Sequence, residues 1–140
     1  MITRGKKVSG TAEAEYAADV ALAARFDDLL AAARAAEQAF RGAQARAVPI
    51  SELHPLAKGL DTALTDVMRA AYAAQRAEIG PRGYEDRIYR RKAMAKSAVH
   101  AWTDEAERLL TLRETHRLTG MPPAPRTDLP EAEGTPYVIS

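Results

Sequence analysis

The stretch LAARFDDLLAAARAAEQAF, residues 22–40, decides the fold class of this chain. Its apolar side chains recur with the 4, 3, 4, 3, 4 spacing that is typical of a helical seam. They are Leu22, Phe26, Leu29, Ala33, Ala36 and Phe40. Charged side chains such as Asp27 and Arg34 fall off that seam. An amphipathic α-helix is therefore predicted here, and the alanines of its seam let a neighbouring helix approach closely.

Glycine and proline punctuate helices, and three stretches of the chain contain neither residue. They are residues 11–41, 60–79 and 84–119. We expect Thr11 to cap the first helix, Ser51 to open a short turn ahead of the second, and Gly120 to end the third. The chain is therefore predicted to contain three main helices.

The third stretch carries an apolar stripe that is roughly 100° wide on a helical wheel. Its members are Tyr84, Ile88, Ala95, Val99, Trp102, Ala106, Leu109 and Leu110. Aromatic and large aliphatic side chains on such stripes anchor cores and interfaces. We expect that role for Trp102, Phe26, Phe40, Leu29, Leu109 and Val99.

The lengths of these helices predict an elongated, all-α fold. Stretches of 31 and 36 residues form rods of about 47 and 54 Å, whereas a compact chain of 140 residues has a diameter of about 35–40 Å. We therefore expect a helical hairpin or bundle, with the first and third helices antiparallel and residues 51–79 packed against them. Alanine, about a fifth of the chain, buries little area, so we expect neighbouring subunits of a homo-oligomer to complete the packing.

The two ends of the chain differ in composition from the predicted helical domain, residues 11–120. Residues 1–10 carry three cations and no acid, which predicts a basic N-terminal arm. Residues 121–140 contain five of the eight prolines, which predicts an extended, Pro-rich C-terminal arm. This arm includes three apolar, strand-prone residues suited to adding an edge strand to a partner protein. They are Tyr137, Val138 and Ile139.

Composition excludes several classes of protein. A formal net charge of +1 argues against a polybasic binder, and the absence of cysteine excludes disulfide frameworks, thiolate zinc sites and cysteine nucleophiles. No apolar run reaches the roughly 20 residues of a membrane span, and the N-terminal residues lack the apolar core of a signal peptide. We therefore expect a protein that is made in the cytoplasm and has no membrane partner.

No grouping of residues in the sequence is typical of an enzyme. His54 has no identifiable partner, and His100 and Asp104, one helical turn apart, lack a third metal ligand. His116 lies near the end of the third helix, where a packing role is favoured. Adjacent carboxylates point about 100° apart on a helix, so they do not form an acid–base pair. We expect no catalytic residue, no metal and no cofactor.

The most distinctive local feature is the basic segment PRGYEDRIYRRKAMAK, residues 81–96, with six cations and two acids. Arg87, Arg90 and Arg91 share one face of a helix here, and Lys92 lies at the edge of the apolar stripe. These cations suit ion pairs with the acidic first helix or with a neighbouring subunit, contacts with nucleic-acid phosphates, or a small anionic ligand. We favour ion pairs, since opposite charges on neighbouring helices commonly stabilise packing.

A helical body with two extended arms suits proteins that build rings and shells, because arms reach neighbours without enlarging the core. This plan resembles that of the all-helical adaptors below the portal of tailed phages. The resemblance implies a non-enzymatic virion component of the head–tail connector type, whose partners are other structural proteins. Two alternatives remain open: a small nucleic-acid-binding protein that uses residues 81–96, and a helical regulatory module that binds one partner protein.

Overall fold

The structure, a computed structural model, describes residues 7–122 and contains helices and no strand within them, which confirms the all-α class. The elements are α1 (Gly10–Ala23), α2 (Phe26–Ala45), α3 (Ile50–Ile79), a 3₁₀ turn (Pro81–Tyr84), α4 (Arg87–Ala93), α5 (Ser97–Thr115) and a π turn (His116–Gly120). None of these helices is long and apolar enough to cross a membrane. Most of both predicted arms lies outside the described residues.

The first predicted helix is interrupted, so that residues 11–41 contribute to both α1 and α2. Arg25 leaves helical geometry at φ −92° and ψ 2°. The interruption lets α1 follow the last turns of α3 while α2 follows its earlier part, as long helices bend to wrap a core. At the start of α1 the N-cap is Ser9 rather than the predicted Thr11, because the Ser9 hydroxyl accepts from the backbone N–H of Ala12 at 3.1 Å.

The third predicted helix is also interrupted, at residues 94–96, between α4 and α5. An unbroken stripe predicts that Ile88 faces the core, but Ile88 is 70% exposed, because the break takes α4 out of register with α5. Ala93 and Val99, on the two sides of the break, are both buried. The expectation of three main helices is therefore corrected to five α-helices in the described part of the chain.

The second predicted helix is longer than its glycine and proline residues predict. Helix α3 begins at Ile50 and continues through Pro55 and Gly59, giving a rod of about 45 Å. Pro55 is the sixth residue of α3, so its missing N–H removes one hydrogen bond near the start of the helix rather than in its middle. Gly59 weakens the helix by only about 1 kcal/mol relative to alanine. Burial along the rest of α3 outweighs both effects.

Helix α3 is the centre of the fold, since α1, α2 and α5 all pack against it. This corrects the prediction of a hairpin between the first and third helices with the second laid over it. Small side chains on several sides of α3 allow three neighbours to approach. Four of its alanines have no exposed surface: Ala57, Ala70, Ala71 and Ala73.

The main core combines two of these alanines, Ala57 and Ala71, with larger side chains from α2 and α5. Three of the predicted anchors are buried: Phe40, Val99 and Leu109. Three others are partly buried against the main core: Phe26, Leu29 and Trp102. The rings of Phe26 and Trp102 meet edge to face with centroids 5.0 Å apart, a favourable aromatic geometry that joins α2 to α5.

A buried histidine closes the bundle near the start of α3. His116 is 8% exposed, and its Nε2 lies 2.8 Å from the carbonyl oxygen of Ala57. Because a carbonyl only accepts, Nε2 carries the proton and donates it. The ring also meets Phe40 edge to face at 5.2 Å, which confirms the packing role that the sequence favoured. Met121, which the sequence assigned to the C-terminal arm, packs against the main core as well.

Candidate interaction surface around helix α4

The chain reverses direction tightly after α3, and two glycines permit this path. Gly80 adopts a φ of +101°, in the left-handed region that favours glycine. Gly83 is buried in the 3₁₀ turn, and a Cβ atom there would clash with the side chain of Ile79. The route from α3 into α4 is therefore fixed by these two positions.

Polar side chains hold this turn against α1. Arg76 of α3 donates two hydrogen bonds to Asp19 of α1, from Nε to Oδ2 at 2.7 Å and from Nη2 to Oδ1 at 3.0 Å. The Tyr84 hydroxyl donates to Asp19 Oδ2 at 2.5 Å. The ring of Tyr84 also meets Tyr16 of α1 edge to face at 6.3 Å. We call Asp19, Arg76 and Tyr84 the polar pin.

The polar pin changes the titration of its own members. Partial burial alone would raise the pKa of Asp19, but the hydrogen bonds from Arg76 and Tyr84 outweigh burial and lower that pKa below its usual value. Burial, followed by the hydrogen bond to the Asp19 carboxylate, raises the pKa of Tyr84 well above its usual value. Around neutral pH both groups therefore keep the protonation states that their hydrogen bond requires.

Helix α4 is short, and contacts on its inner side fix its position. Asp86 caps the helix, since its Oδ1 accepts from the backbone N–H of Tyr89 at 3.0 Å. Arg82 lies over the ring of Tyr89 at 4.7 Å, and Arg90 donates to the carbonyl oxygen of Gly83 at 2.8 Å. Beneath α4 lies a second, smaller core made of Ile79, Ala93 and Val99.

The outer side of α4 presents one apolar side chain among cations. Ile88 is 70% exposed, and Arg87, Arg91 and Lys92 are exposed around it, since residues one turn apart share a helix face. Within residues 7–122 none of these three cations forms an ion pair. We call these four residues the α4 patch.

Of the predicted site residues, the structure exposes some on the α4 patch and holds others by contacts within the fold. Three of them belong to the α4 patch: Arg87, Arg91 and Lys92. Arg90 is held by the turn, and Trp102 packs against the main core. The remaining three lie outside the described residues: Tyr137, Val138 and Ile139.

Ion pairs between the α4 arginines and the acidic first helix are not found in the described part of the chain. Asp19 of α1 pairs instead with Arg76 of α3, 57 residues away in sequence. Sequence reasoning missed this pair because each residue alone has the pattern of an ordinary surface charge on an amphipathic helix. It also missed the exposure of Ile88. The sequence does contain a signal for it, because Asp86 is a typical N-cap residue and marks the start of a new helix there.

Other candidate groupings from the sequence lie on the surface. His100 Nδ1 is 3.2 Å from Asp104 Oδ2, and these side chains are 67% and 65% exposed. Among residues 7–122 no three His, Asp or Glu side chains are arranged to hold a metal ion. A groove of about 210 Å³ separates α2 from the end of α5, with Phe40, Leu64 and His116 in its lining.

Comparison with known proteins returned no relative of this chain. No family model, no curated protein and no solved structure matches it. What the protein does must therefore be inferred from its own surface, above all from the α4 patch.

Proposed function

We propose that this protein is a non-enzymatic assembly component whose copies join through the α4 patch into an ordered oligomer. The observation that carries the proposal is Ile88, which is 70% exposed on a helix held in place from its inner side. An apolar centre within a charged rim is the usual anatomy of a protein–protein interface. Because the turn and the second core already fix α4, little ordering entropy opposes binding there.

A second group of exposed apolar side chains lies at the opposite end of the bundle. Leu112 and Leu118 are 43% and 82% exposed, next to His116 and the start of α3. Different surfaces at two ends favour head-to-tail contacts, which close into a ring when the rotation between neighbours allows it. In its most specific form, the proposal is a tailed-phage virion component of the head–tail connector type.

The mass of the protein in solution tests this proposal. We expect light scattering to give a defined multimer, well above the 15.2 kDa of one chain. Ile88→Ser should weaken association at least about tenfold, since burying an isoleucine side chain is worth about 1.5–3 kcal/mol and 1.4 kcal/mol is a factor of ten.

The matched control for this variant is Val20→Ser. Val20 is 43% exposed in α1 and belongs neither to the α4 patch nor to the apolar group at the start of α3, so exchanging this side chain for serine should leave the mass unaltered. A monomer at every concentration would overturn the proposal. So would a multimer that Ile88→Ser leaves intact.

Nucleic-acid binding is the second candidate, and the exposed cations of the α4 patch favour it. Arg87, Arg91 and Lys92 are exposed without an ion pair in the described residues, as phosphate-binding side chains are. This candidate predicts that a DNA duplex binds with an affinity that falls steeply as salt rises. Arg87→Ala combined with Arg91→Ala should then abolish duplex binding and leave the mass of the free protein unchanged, whereas the assembly proposal predicts a lower mass.

A further inference from the structure

We propose that the occupant of the α4 patch is the acidic segment DLPEAE, residues 128–133, of a second copy of this chain. This inference rests on the proposed assembly function and names the contact that would form the oligomer. It is carried by three features: the charge of the two surfaces, their spacing, and the reach of the C-terminal chain.

The charges of the segment and the patch are opposite and equal in number. The patch presents the three cations Arg87, Arg91 and Lys92, and the segment contains three acids and no cation. These acids are Asp128, Glu131 and Glu133. Complementary charge of this kind sets the partner and the register of an interface.

The spacing of side chains also matches. Arg87 and Arg91 are four residues apart, about 6 Å along the helix axis, and acids two residues apart in an extended strand are separated by about 6.6 Å. Glu131 and Glu133 have that separation in sequence. In the segment, Leu129 lies among acids, and in the patch, Ile88 lies among cations. When the opposite charges pair, these two apolar side chains can contact each other.

The reach of the chain makes the contact one between two copies. The described residues end at Pro122, near the start of α3, where His116 contacts Ala57. Helix α4 lies at the other end, beside Ile79, and the helix rises about 33 Å from Ala57 to Ile79.

Asp128 is six positions beyond Pro122, and even a fully extended chain covers at most about 22 Å over that length. Asp128 and Leu129 therefore fall short of the α4 patch of their own chain. By contrast, Glu131 and Glu133, with a reach of about 32 and 40 Å, can approach it. The pairing of Leu129 with Ile88 is thus the part of the contact that requires a second copy. A neighbour placed end to end brings its own patch to the segment instead.

A charge-swap experiment on the full chain tests the pairing. The patch variant carries Arg87→Glu and Arg91→Glu, and the segment variant carries Glu131→Lys and Glu133→Lys, the two acids whose spacing matches that pair. We expect each variant alone to raise the dissociation constant of self-association at least about tenfold. An equimolar mixture should recover the wild-type mass, because each reversed patch then meets a segment of opposite charge on another copy.

The control for the patch variant carries Arg34→Glu and Arg69→Glu, two exposed arginines on α2 and α3. It changes the net charge by the same amount and should associate like the wild type. Far-UV circular dichroism checks that each variant keeps its helices. As a second measurement that needs no protein variant, a synthetic peptide of residues 127–135 should dissociate the wild-type multimer, whereas its Glu131→Lys, Glu133→Lys version should not.

The outcomes separate this inference from the function on which it rests. A mixture that fails to recover the mass, or a segment variant that associates like the wild type while the patch variant does not, overturns the inference and leaves the assembly function standing. A wild-type protein that is monomeric at all concentrations overturns both. Recovery of the mass only when both swaps are in one chain places the contact within a chain and also overturns the inference.

Discussion

The two ends of α3 are held by different kinds of interaction. Near its start, α2 and α5 close over it by burying side chains, with Phe40 and His116 in contact. Near its end, the 3₁₀ turn and α4 are positioned by the polar pin, by two glycines and by the small core around Ile79, Ala93 and Val99. Burial stabilises an end by removing its apolar surface from water, whereas polar contacts can fix an element and leave its outer face free. This difference explains how α4 is fixed in place and yet exposes Ile88.

The largest loss of stability is expected from a cavity in the main core. Leu109 is 1% exposed, and Leu109→Ala should lower the free energy of unfolding by about 3 kcal/mol, through lost burial and the cavity left behind. Urea denaturation followed by circular dichroism measures this value. Leu118→Ala, the same change at an 82% exposed site, should stay within about 0.5 kcal/mol of the wild type. A comparable loss in both variants would contradict the described core.

The next largest loss of stability is expected from a substitution in the turn before α4. Gly83→Ala places a Cβ atom against Ile79, and relieving that overlap should cost about 2 kcal/mol. Gly59→Ala is the matched control, because nothing lies within 4 Å of the added Cβ inside α3. It should raise stability by about 0.5–1 kcal/mol, since alanine favours a helix over glycine. A loss of stability in Gly83→Ala and a gain in Gly59→Ala would support a turn that requires glycine, whereas two stabilised variants would argue against it.

The helical class was predictable because the evidence for it lies in neighbouring residues. Leu60, Leu64 and Val67 form a seam that is visible in the sequence and buried in the structure. The central place of α3 was not predictable, because it depends on alanines. Ala70 and Ala73 lie off that seam and are fully buried, yet alanine is equally at home on an exposed helix face.

The sequence predicts which cations lie in the candidate site, but it does not predict that they are exposed around Ile88. The charge of residues 81–96 is a property of composition, so the sequence alone indicates the region that contains the α4 patch. The break at residues 94–96 contains neither glycine nor proline. It follows from tertiary packing, since Ala93 and Val99 on its two sides both bury against Ile79. Contacts between distant residues carry no local signal, so the exposure of the patch could be learned only from the structure.

A smaller change in stability is expected when pH alters the charge of Asp19 in the polar pin. The pKa of Asp19 is lowered in the folded protein, so its contribution to stability is fully present above the unfolded pKa, near 3.9, and is lost as pH falls through the folded value. Because Arg76 is 45% exposed, we expect Asp19→Asn to cost at most about 1 kcal/mol at pH 7. The difference between variant and wild type should shrink below about pH 4. Urea denaturation at pH 7, 5 and 3 measures it.

The smallest effect is expected from the corresponding ion pair at the other end of α3. The pKa of Asp61 is lowered mainly by its hydrogen bond from Arg117, whose Nε donates to Asp61 Oδ1 at 2.6 Å on the exposed surface. Solvent and salt screen such a pair, and burial already holds this end, so Asp61→Asn should change stability less than Asp19→Asn at every pH. If Asp61→Asn proved the more damaging variant, polar contacts would support both ends of α3 alike, and the contrast between burial and polar positioning would fail.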